Sequence, residues 1–564
     1  MVPGELRERV LAWMAEDPDE RDRAELSALL ADGTAEAAAD LADRFARRLA
    51  FGTAGLRGLV GAGPGRMNTA TVTAATAALA GWLAGRQPDA AQAGVVVGCD
   101  ARHRSEEFAV QTARVLAGAG IRVHLLPPRE PTPLLAFAVR QLRAAAGVMI
   151  TASHNPRGDN GYKLYLGDGA QIVPPADTDI EAAIAALGPL SAVPLAAADS
   201  PLITPSSDEV AQAYVDTICA VAGRAGDGAA WLRFAYTPLH GVAGQLALRA
   251  FAEAGYAEPD LVRAQFEPDP EFPTVAFPNP EEPGALDLAI AQARRSGADL
   301  VIANDPDGDR LAVAVPDADS PGGYRQLTGD QVGALLGSFV LGQLAGSGTP
   351  MSGQLVVSTV VSGTLLSKIA AAAGAQYAQT LTGFKWIVRA ADLREDVHFA
   401  FGYEEALGYA VGDAVRDKDG ISAALAILQL ATEQWSAGQT LQDAYDALEV
   451  AHGVHLTEQL SLPTEATVHL MARLRAATPT RLGDEPVLDI TDYTGGRWDL
   501  PSADMLSYQL PGARVVIRPS GTEPKVKAYL EVVEPAASRG LAVARHAAAE
   551  RMDRLRGGAG DLLA

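Results

Sequence analysis

Five times along this chain a short β-branched or apolar run stops at a polar loop and gives way to a helical length of Ala and Leu. Val95-Val96-Val97 precedes Gly98-Cys99-Asp100, Val148-Met149-Ile150 precedes Thr151, and Leu300-Val301-Ile302 precedes Asn304-Asp305. Leu355-Val356-Val357 and Phe399-Ala400-Phe401 repeat the pattern. Strands separated by helix-length segments call for βαβ units, so the expected class is α/β with mostly parallel sheets. Ligands of such sheets bind beyond the carboxyl ends of the strands, which makes the polar loops the places to look for chemistry.

At 564 residues the chain is long enough for several domains with their own cores. Low-information stretches suggest cuts, giving a helical arm at 1–50 followed by domains at 51–205, 206–325, 326–450 and 451–564. The spacing of Leu6, Val10, Leu11 and Met14 predicts a pair of helices in the arm. The proline-dense stretch 265–282 reads as an extended loop, and 450–465 as a linker through which the last domain closes.

With 46 Lys plus Arg against 69 Asp plus Glu, the net charge is −23. Such a surface repels polyanions, so neither nucleic acid nor an anionic membrane is an expected partner. No apolar run reads as a signal peptide or a membrane span, and Cys99 and Cys219 lack partners at metal spacing, which together point to a reduced, cytoplasmic protein. His452 and His455, three apart with no third ligand candidate, read as surface or packing residues.

Three loops carry the strongest chemical patterns. Thr151-Ala152-Ser153-His154-Asn155-Pro156, followed by Asn160-Gly161-Tyr162-Lys163, sets a serine at a strand end beside a histidine and a lysine, as a phosphoryl acceptor needs. Asp305-Pro306-Asp307-Gly308-Asp309-Arg310 converges three carboxylates on one hard cation beside a guanidinium fork for phosphate. An EF-hand is excluded, because its sixth position holds Arg310 and its twelfth Pro316, and three carboxylates leave room for phosphate and water around Mg²⁺. Arg518-Pro519-Ser520-Gly521-Thr522-Glu523-Pro524-Lys525 offers amides, hydroxyls and a cation to a phosphate dianion. Two weaker patterns are the Gly-rich run 51–58, containing Arg57, and the paired Glu404-Glu405 at 402–408, which can each accept from a sugar hydroxyl.

Together these loops closely resemble the α-D-phosphohexomutase superfamily of phosphoglucomutases and phosphomannomutases, in the family's own order and along nearly the whole chain. The resemblance implies three similar mixed α/β domains and a smaller α+β C-terminal domain. It makes Ser153 the phosphoserine, with Asp305, Asp307 and Asp309 as ligands of one Mg²⁺ that an oxygen of the phosphoserine completes. His154, Lys163, Arg57 and Arg310 correspond to residues around the transferring phosphoryl group, with Lys163 or Lys385 as general acid and base. Thr382, Gly383, Glu404, Glu405, Arg518, Ser520, Gly521, Thr522 and Lys527 fall on substrate-binding positions, Glu404 as the sugar reader and the 518–522 loop as the clamp on the distal phosphate.

The implied activity interconverts a sugar 1-phosphate and 6-phosphate through a bisphosphate, with glucose 1,6-bisphosphate as activator and small sugar phosphates as the only partners. Glucose is the first choice of sugar and mannose the second; a phosphopentomutase or a glucose-1,6-bisphosphate synthase is the alternative. Ala406, where many hexomutases carry serine, and the flanking Tyr403 and Tyr409 are the local departures bearing on that choice. Two other classes fit less of the chain. A haloacid-dehalogenase-type hydrolase with Asp305 as nucleophile leaves the third carboxylate and the clamp unexplained, and a non-catalytic sugar-phosphate binder has no need of Ser153 and the aspartates.

Overall fold

The computed structural model describes residues 2–52, 55–223, 228–464, 467–476, 478–496, 500–520 and 525–563. It divides into two compact units, one of residues 1–326 with 414–425, the other of 327–413 with 426–564.

The first unit opens with three helices where two were expected, Gly4–Glu16, Glu20–Asp32 and Ala35–Arg44. Asp19 and Thr34 cap the second and third by accepting from the backbone N–H groups of Arg21 and Ala37, and Gly33 between them takes a left-handed turn at φ 68°. Val10, Leu26, Leu41 and Phe45 form their apolar seam, which Ala62 of the following loop completes.

A six-stranded sheet follows, built from β1 (Gly55–Leu59), β2 (Val95–Cys99), β3 (Val123–Leu125), β4 (Ala146–Ile150), β5 (Asp159–Leu166) and β6 (Ile203–Pro205), in the order β1-β5-β4-β2-β3-β6. Its centre is parallel, but β5 runs antiparallel to both β4 and β1. A second sheet has the order β11-β10-β9-β7-β8, from β7 (Phe234–Thr237), β8 (Asp260–Leu261), β9 (Leu300–Asn304), β10 (Leu311–Pro316) and β11 (Tyr324–Gln326). Here β7 and β9 are parallel and β9 turns back antiparallel into β10. Residues 414–425, inside the stretch expected to be the third domain, fold into this first unit: Tyr165 and Gln171 donate to Asp417 at 2.7 Å each, and Tyr214 donates to Asp419 at 2.8 Å.

In the second unit the four-stranded sheet β13-β12-β14-β15, from β12 (Gln354–Thr359), β13 (Gln376–Thr380), β14 (His398–Glu404) and β15 (Gly408–Val411), repeats the plan. Its first three strands are parallel and β14 turns back antiparallel into β15. The sheets are therefore mixed rather than mostly parallel. In each one the loop with chemical side chains is a hairpin connection: 151–158 between β4 and β5, 305–310 between β9 and β10, and 405–407 between β14 and β15. Such short links cannot make a parallel crossover, which needs a dozen residues or more.

The C-terminal part is a fully antiparallel sheet of Val454–Pro463, Lys525–Glu534, Ala513–Pro519, Leu506–Leu510 and Asp489–Asp492, in that order. The helix Leu541–Leu563 buries Ala544, Ala548, Met552, Leu555, Ala559 and Leu563 at intervals of three and four, a single face that packs on this sheet. The stretch read as a linker, 450–465, is instead the end of the helix Leu441–His452 and a ten-residue strand whose Val454, Leu456, Leu460 and Leu462 join the sheet's core. Among the described residues no helix is long and apolar enough to cross a membrane.

Candidate active site

The hairpin after β4 holds Ser153 in an unusual backbone state, φ 53°, which costs a non-glycine residue of the order of 1–3 kcal/mol. The surroundings hold it there. Ser153 donates its N–H to Thr151 Oγ1 at 2.8 Å, and the Arg102 guanidinium donates to the carbonyls of Ser153 (2.6 Å), Asn155 (2.5 Å), Pro156 (2.8 Å) and Asp159 (3.1 Å). The Arg102 side chain is only 1% exposed and lies 5.1 Å from the Phe272 ring centroid. The serine hydroxyl, buried with its residue, donates to Asp305 Oδ2 at 2.9 Å and lies 3.2 Å from His154 Nδ1. Arg57 on β1 donates to Asn155 Oδ1 at 3.0 Å, and so reaches the same loop.

The hairpin after β9 brings Asp305, Asp307 and Asp309 together, all fully buried. Gly308 turns that loop at φ 74°, where an added Cβ would lie 2.9 Å from the Ala243 side chain. Lys163 on β5 donates to Asp307 Oδ2 at 2.7 Å and to Asp309 Oδ2 at 3.1 Å, and Thr132 donates to Asp307 Oδ2 at 2.6 Å. Burial and the two neighbouring aspartates push the Asp305 carboxyl well above its ordinary range. Burial works the same way on Asp307, but the Lys163 ammonium outweighs it and holds that carboxyl far below. Burial opposes the charge on Lys163 as well, and the two aspartates more than restore it. His154 is driven well below the usual imidazole value by burial and by the cations Arg310 and Arg57, so it stays neutral. Arg310 is anchored through its N–H on Asp305 at 3.0 Å and through its guanidinium on Glu281 at 3.1 Å.

In the second unit, Gly383, at φ 116°, donates its N–H to Glu404 Oε1 at 2.6 Å. Lys385 is buried on the short helix Phe384–Ile387, its Nζ 5.5 Å from the Trp386 ring centroid, and the Thr382 hydroxyl is buried beside this turn without a hydrogen-bond partner among the described residues. Glu405 is turned onto its own domain, accepting from Ser362 Oγ at 3.0 Å and Thr359 Oγ1 at 3.3 Å. Tyr403 and Tyr409 are core residues, their hydroxyls tied to Asp330 and to the Gly329 carbonyl. Arg518 lies over the Tyr529 ring and donates to its hydroxyl at 3.1 Å, Ser520 donates its N–H to the Lys525 carbonyl at 2.8 Å, and Lys527 reaches Gln459 at 3.3 Å. Gly521 and Thr522 lie outside the described residues.

Four consecutive stretches match the domains of one family: 48–189 its alpha/beta/alpha domain I, 212–320 domain II, 328–450 domain III and 462–547 its C-terminal domain. The chain belongs to the phosphoglucomutase/phosphomannomutase family. It is an isomerase, a mutase that transfers phosphoryl groups. Among curated relatives it is 42% identical to a probable phosphomannomutase of Haemophilus influenzae, over 82% of this chain and 93% of that one. It is 37% identical to a probable phosphoribomutase of Schizosaccharomyces pombe, over 93% of both, and 36% identical to a phosphoglucomutase of Staphylococcus epidermidis, over 86% and 90%. The crystal structure of a putative phosphomannomutase from Thermus thermophilus superposes with a TM-score of 0.65 at 25% identity, covering 89% of this chain and 99% of that one.

This phosphomutase family is Mg²⁺-dependent, and the aspartate loop fits the ion. One oxygen from each of the three carboxylates lies within 4.8 Å of the others, and Asp307 Oδ1 and Asp309 Oδ1 are buried without a hydrogen-bond partner among the described residues. An all-oxygen anionic donor set of this kind is what a hard divalent cation selects.

Two residues in contact with these loops carry no mark of their own in the sequence. One is Arg102, whose acceptors are backbone carbonyls at least 51 residues away. The other is Lys418, which lies on the returning segment with its Nζ 3.3 Å from both Asp309 Oδ2 and Asp417 Oδ1. The run Arg416-Asp417-Lys418-Asp419-Gly420, charged side chains packed ahead of a helix, was the available signal.

Proposed function

We propose that this chain interconverts the 1-phosphate and 6-phosphate of glucose, and possesses some activity on mannose, by passing a phosphoryl group through Ser153. The observation that carries the reading is the Ser153 hydroxyl, buried at 2.9 Å from Asp305 on a loop held by four carbonyl bonds from one guanidinium. A strained, rigidly held hydroxyl beside a carboxylate cluster suits a covalent carrier better than a passive binding loop.

In this reading the free hydroxyl of a sugar monophosphate attacks the phosphorus of phosphoserine 153. The new sugar O–P bond forms as the Ser153 Oγ–P bond breaks, Lys163 giving a proton to the departing Ser153 oxygen and regaining the one that the sugar hydroxyl releases, and the bisphosphate turns end over end before returning its other phosphate to Ser153. Asp305, Asp307 and Asp309, with a phosphoserine oxygen, would hold Mg²⁺, and the ion would supply positive charge to the transferring oxygens. Arg57 and Arg310 add fixed cations around the same group. Lys163, held as an ammonium by Asp307 and Asp309, suits proton donation to the departing oxygen better than proton removal. Glu404 accepts from a sugar hydroxyl, and Arg518 with Ser520 binds the distal phosphate.

The probable phosphomannomutase at 42% identity and the phosphoglucomutase at 36% support a hexose. A pentose substrate is the second reading, favoured by the phosphoribomutase that matches over 93% of this chain, more than either hexose relative covers. The test is a coupled assay with Mg²⁺ and catalytic glucose 1,6-bisphosphate on glucose, mannose, ribose and deoxyribose 1-phosphates, with mass spectrometry of the Ser153 peptide. Dominant glucose turnover and a phosphorylated Ser153 are expected. Dominant pentose turnover selects the second reading, and turnover without phosphate ever appearing on Ser153 rejects the mechanism.

A further inference from the structure

The loop 359–364 in the second unit is gripped from two sides. On one side, Arg514 donates to the carbonyls of Val360, at 2.8 Å, and Ser362. Glu531, its cross-strand partner, accepts the Arg514 Nε–H at 2.6 Å, the Thr364 N–H at 2.7 Å and the Thr364 hydroxyl at 2.8 Å, with His455 Nδ1 at 3.0 Å. The Glu531 and His455 side chains are 4% and 2% exposed, so His455 is part of a buried polar cluster and not a surface residue.

On the other side, the same loop holds the sugar-recognition hairpin. Thr359 and Ser362 hydroxyls donate to the Glu405 carboxylate, and Ser362 Oγ accepts the Glu405 N–H at 3.3 Å. The Gly363 N–H donates at 2.6 Å to Asp330, which also takes the Tyr403 hydroxyl at 2.9 Å. Val360 and Val361 share an apolar cluster with Tyr529, the ring under Arg518. One six-residue loop thus stands between the C-terminal sheet and the residues flanking Glu404.

We propose that Arg514 and Glu531 are positioning residues for sugar selection: they fix the loop 359–364, which fixes Glu405 and so the register of Glu404. The proposal rests on the reading of Glu404 as the sugar-hydroxyl acceptor. A buried ion pair adds little net stability over a well-packed apolar pair of the same volume, but a planar guanidinium spanning a carboxylate and two carbonyls fixes direction as well as distance. Direction is what a hydroxyl-reading hairpin needs.

The test is Arg514→Lys, which keeps the charge opposite Glu531 and loses the fork, with Ser362→Ala as a milder variant that removes one hydroxyl. In both, KM for glucose 1-phosphate should rise about fivefold while kcat changes less. The ratio of kcat/KM for glucose against ribose 1-phosphate should move by about threefold or more, a quantity that loss of folded enzyme cannot change. Hydrogen exchange over 400–409 should quicken in Arg514→Lys. Unchanged exchange there overturns the coupling, and faster exchange with an unchanged sugar ratio overturns the role in selection. If the wild-type enzyme turns over neither sugar, the functional reading fails, and the exchange measurement still decides the coupling.

Discussion

Arg102 makes the sharpest prediction, because its role follows from geometry alone. Its two terminal nitrogens serve four carbonyls of the Ser153 loop between 2.5 and 3.1 Å, and its Nε lies 3.5 Å from Asp100. Lysine brings three N–H groups on a tetrahedral nitrogen, so Arg102→Lys leaves at least one of the four carbonyls without its donor and slackens the contact with Asp100. An acceptor without a partner costs about 1–3 kcal/mol where it is buried, so the loop should lose roughly 1–3 kcal/mol of local stability. That is enough to release the φ 53° conformation of Ser153, and a shift of about 1 Å in a nucleophile costs on the order of 10²-fold in rate. The assay is kcat under saturating sugar phosphate and bisphosphate, well below the melting temperature, together with hydrogen exchange over 151–160. A kcat within about threefold of wild type would refute the claim that this guanidinium sets the nucleophile.

Ser153→Ala should fall to background turnover yet retain Mg²⁺-dependent thermal stabilisation, since the three aspartates are untouched; full activity in that variant contradicts the phosphoserine mechanism. Mg²⁺ at about a hundredfold its Kd should stabilise the protein by about 2.7 kcal/mol, visible as a higher melting temperature that EDTA reverses and Asp307→Asn weakens. No shift with Mg²⁺ would remove the aspartate loop as its site. Burial opposes the charge of Glu531, but Arg514 and His455 hold its carboxyl down to about 2, from an ordinary value of 4.5. A depressed carboxylate contributes stability that is complete above about pH 5 and lost as pH falls through about 2, here about 3 kcal/mol. The melting-temperature gap between wild type and Glu531→Gln should therefore shrink by more than half between pH 7 and pH 3, and a constant gap would contradict the assignment.

The sequence carried the hairpin loops well, and it carried the direction of their flanking strands too, although mostly parallel sheets are the expectation from the alternation of strands and helices alone. Ser153, His154 and the aspartates sit in contiguous runs whose composition states their chemistry, and Lys163 returns on the next strand. The mixed sheets were also legible, in the short spacing from Ile150 to Asp159 and from Asn304 to Leu311, which permits only a hairpin. The alternation of Val454, Leu456, Leu460 and Leu462 likewise announced a strand where a linker was read. Arg102 was illegible for another reason: its partners are carbonyls, which every residue carries and no letter marks. Glu404 and Glu405 read alike in the sequence because it cannot say which neighbours adjacent carboxylates meet, and here Ser362 and Thr359 donate to Glu405 while Gly383 donates to Glu404.

The two carboxylates at the heart of the first unit also bear on how Lys163 is to be understood. Asp305 and Asp307 share one loop and full burial, yet their proton affinities are driven in opposite directions. Burial acts on both, so the difference lies in partners: Asp307 receives the Lys163 ammonium at 2.7 Å, whereas Asp305 receives the Ser153 hydroxyl and the Arg310 backbone N–H and is raised further by the two other aspartates. Lys163 therefore supplies a counter-charge to Asp307 and Asp309 as well as a candidate proton, in a protein whose net charge is −23. A neutral replacement removes both roles at once, since it takes away a proton source and leaves Asp307 and Asp309 facing each other with less compensation. Loss of activity in such a variant cannot assign acid catalysis, whereas Lys163→Arg, which retains the charge and surrenders the proton far less readily, separates the two.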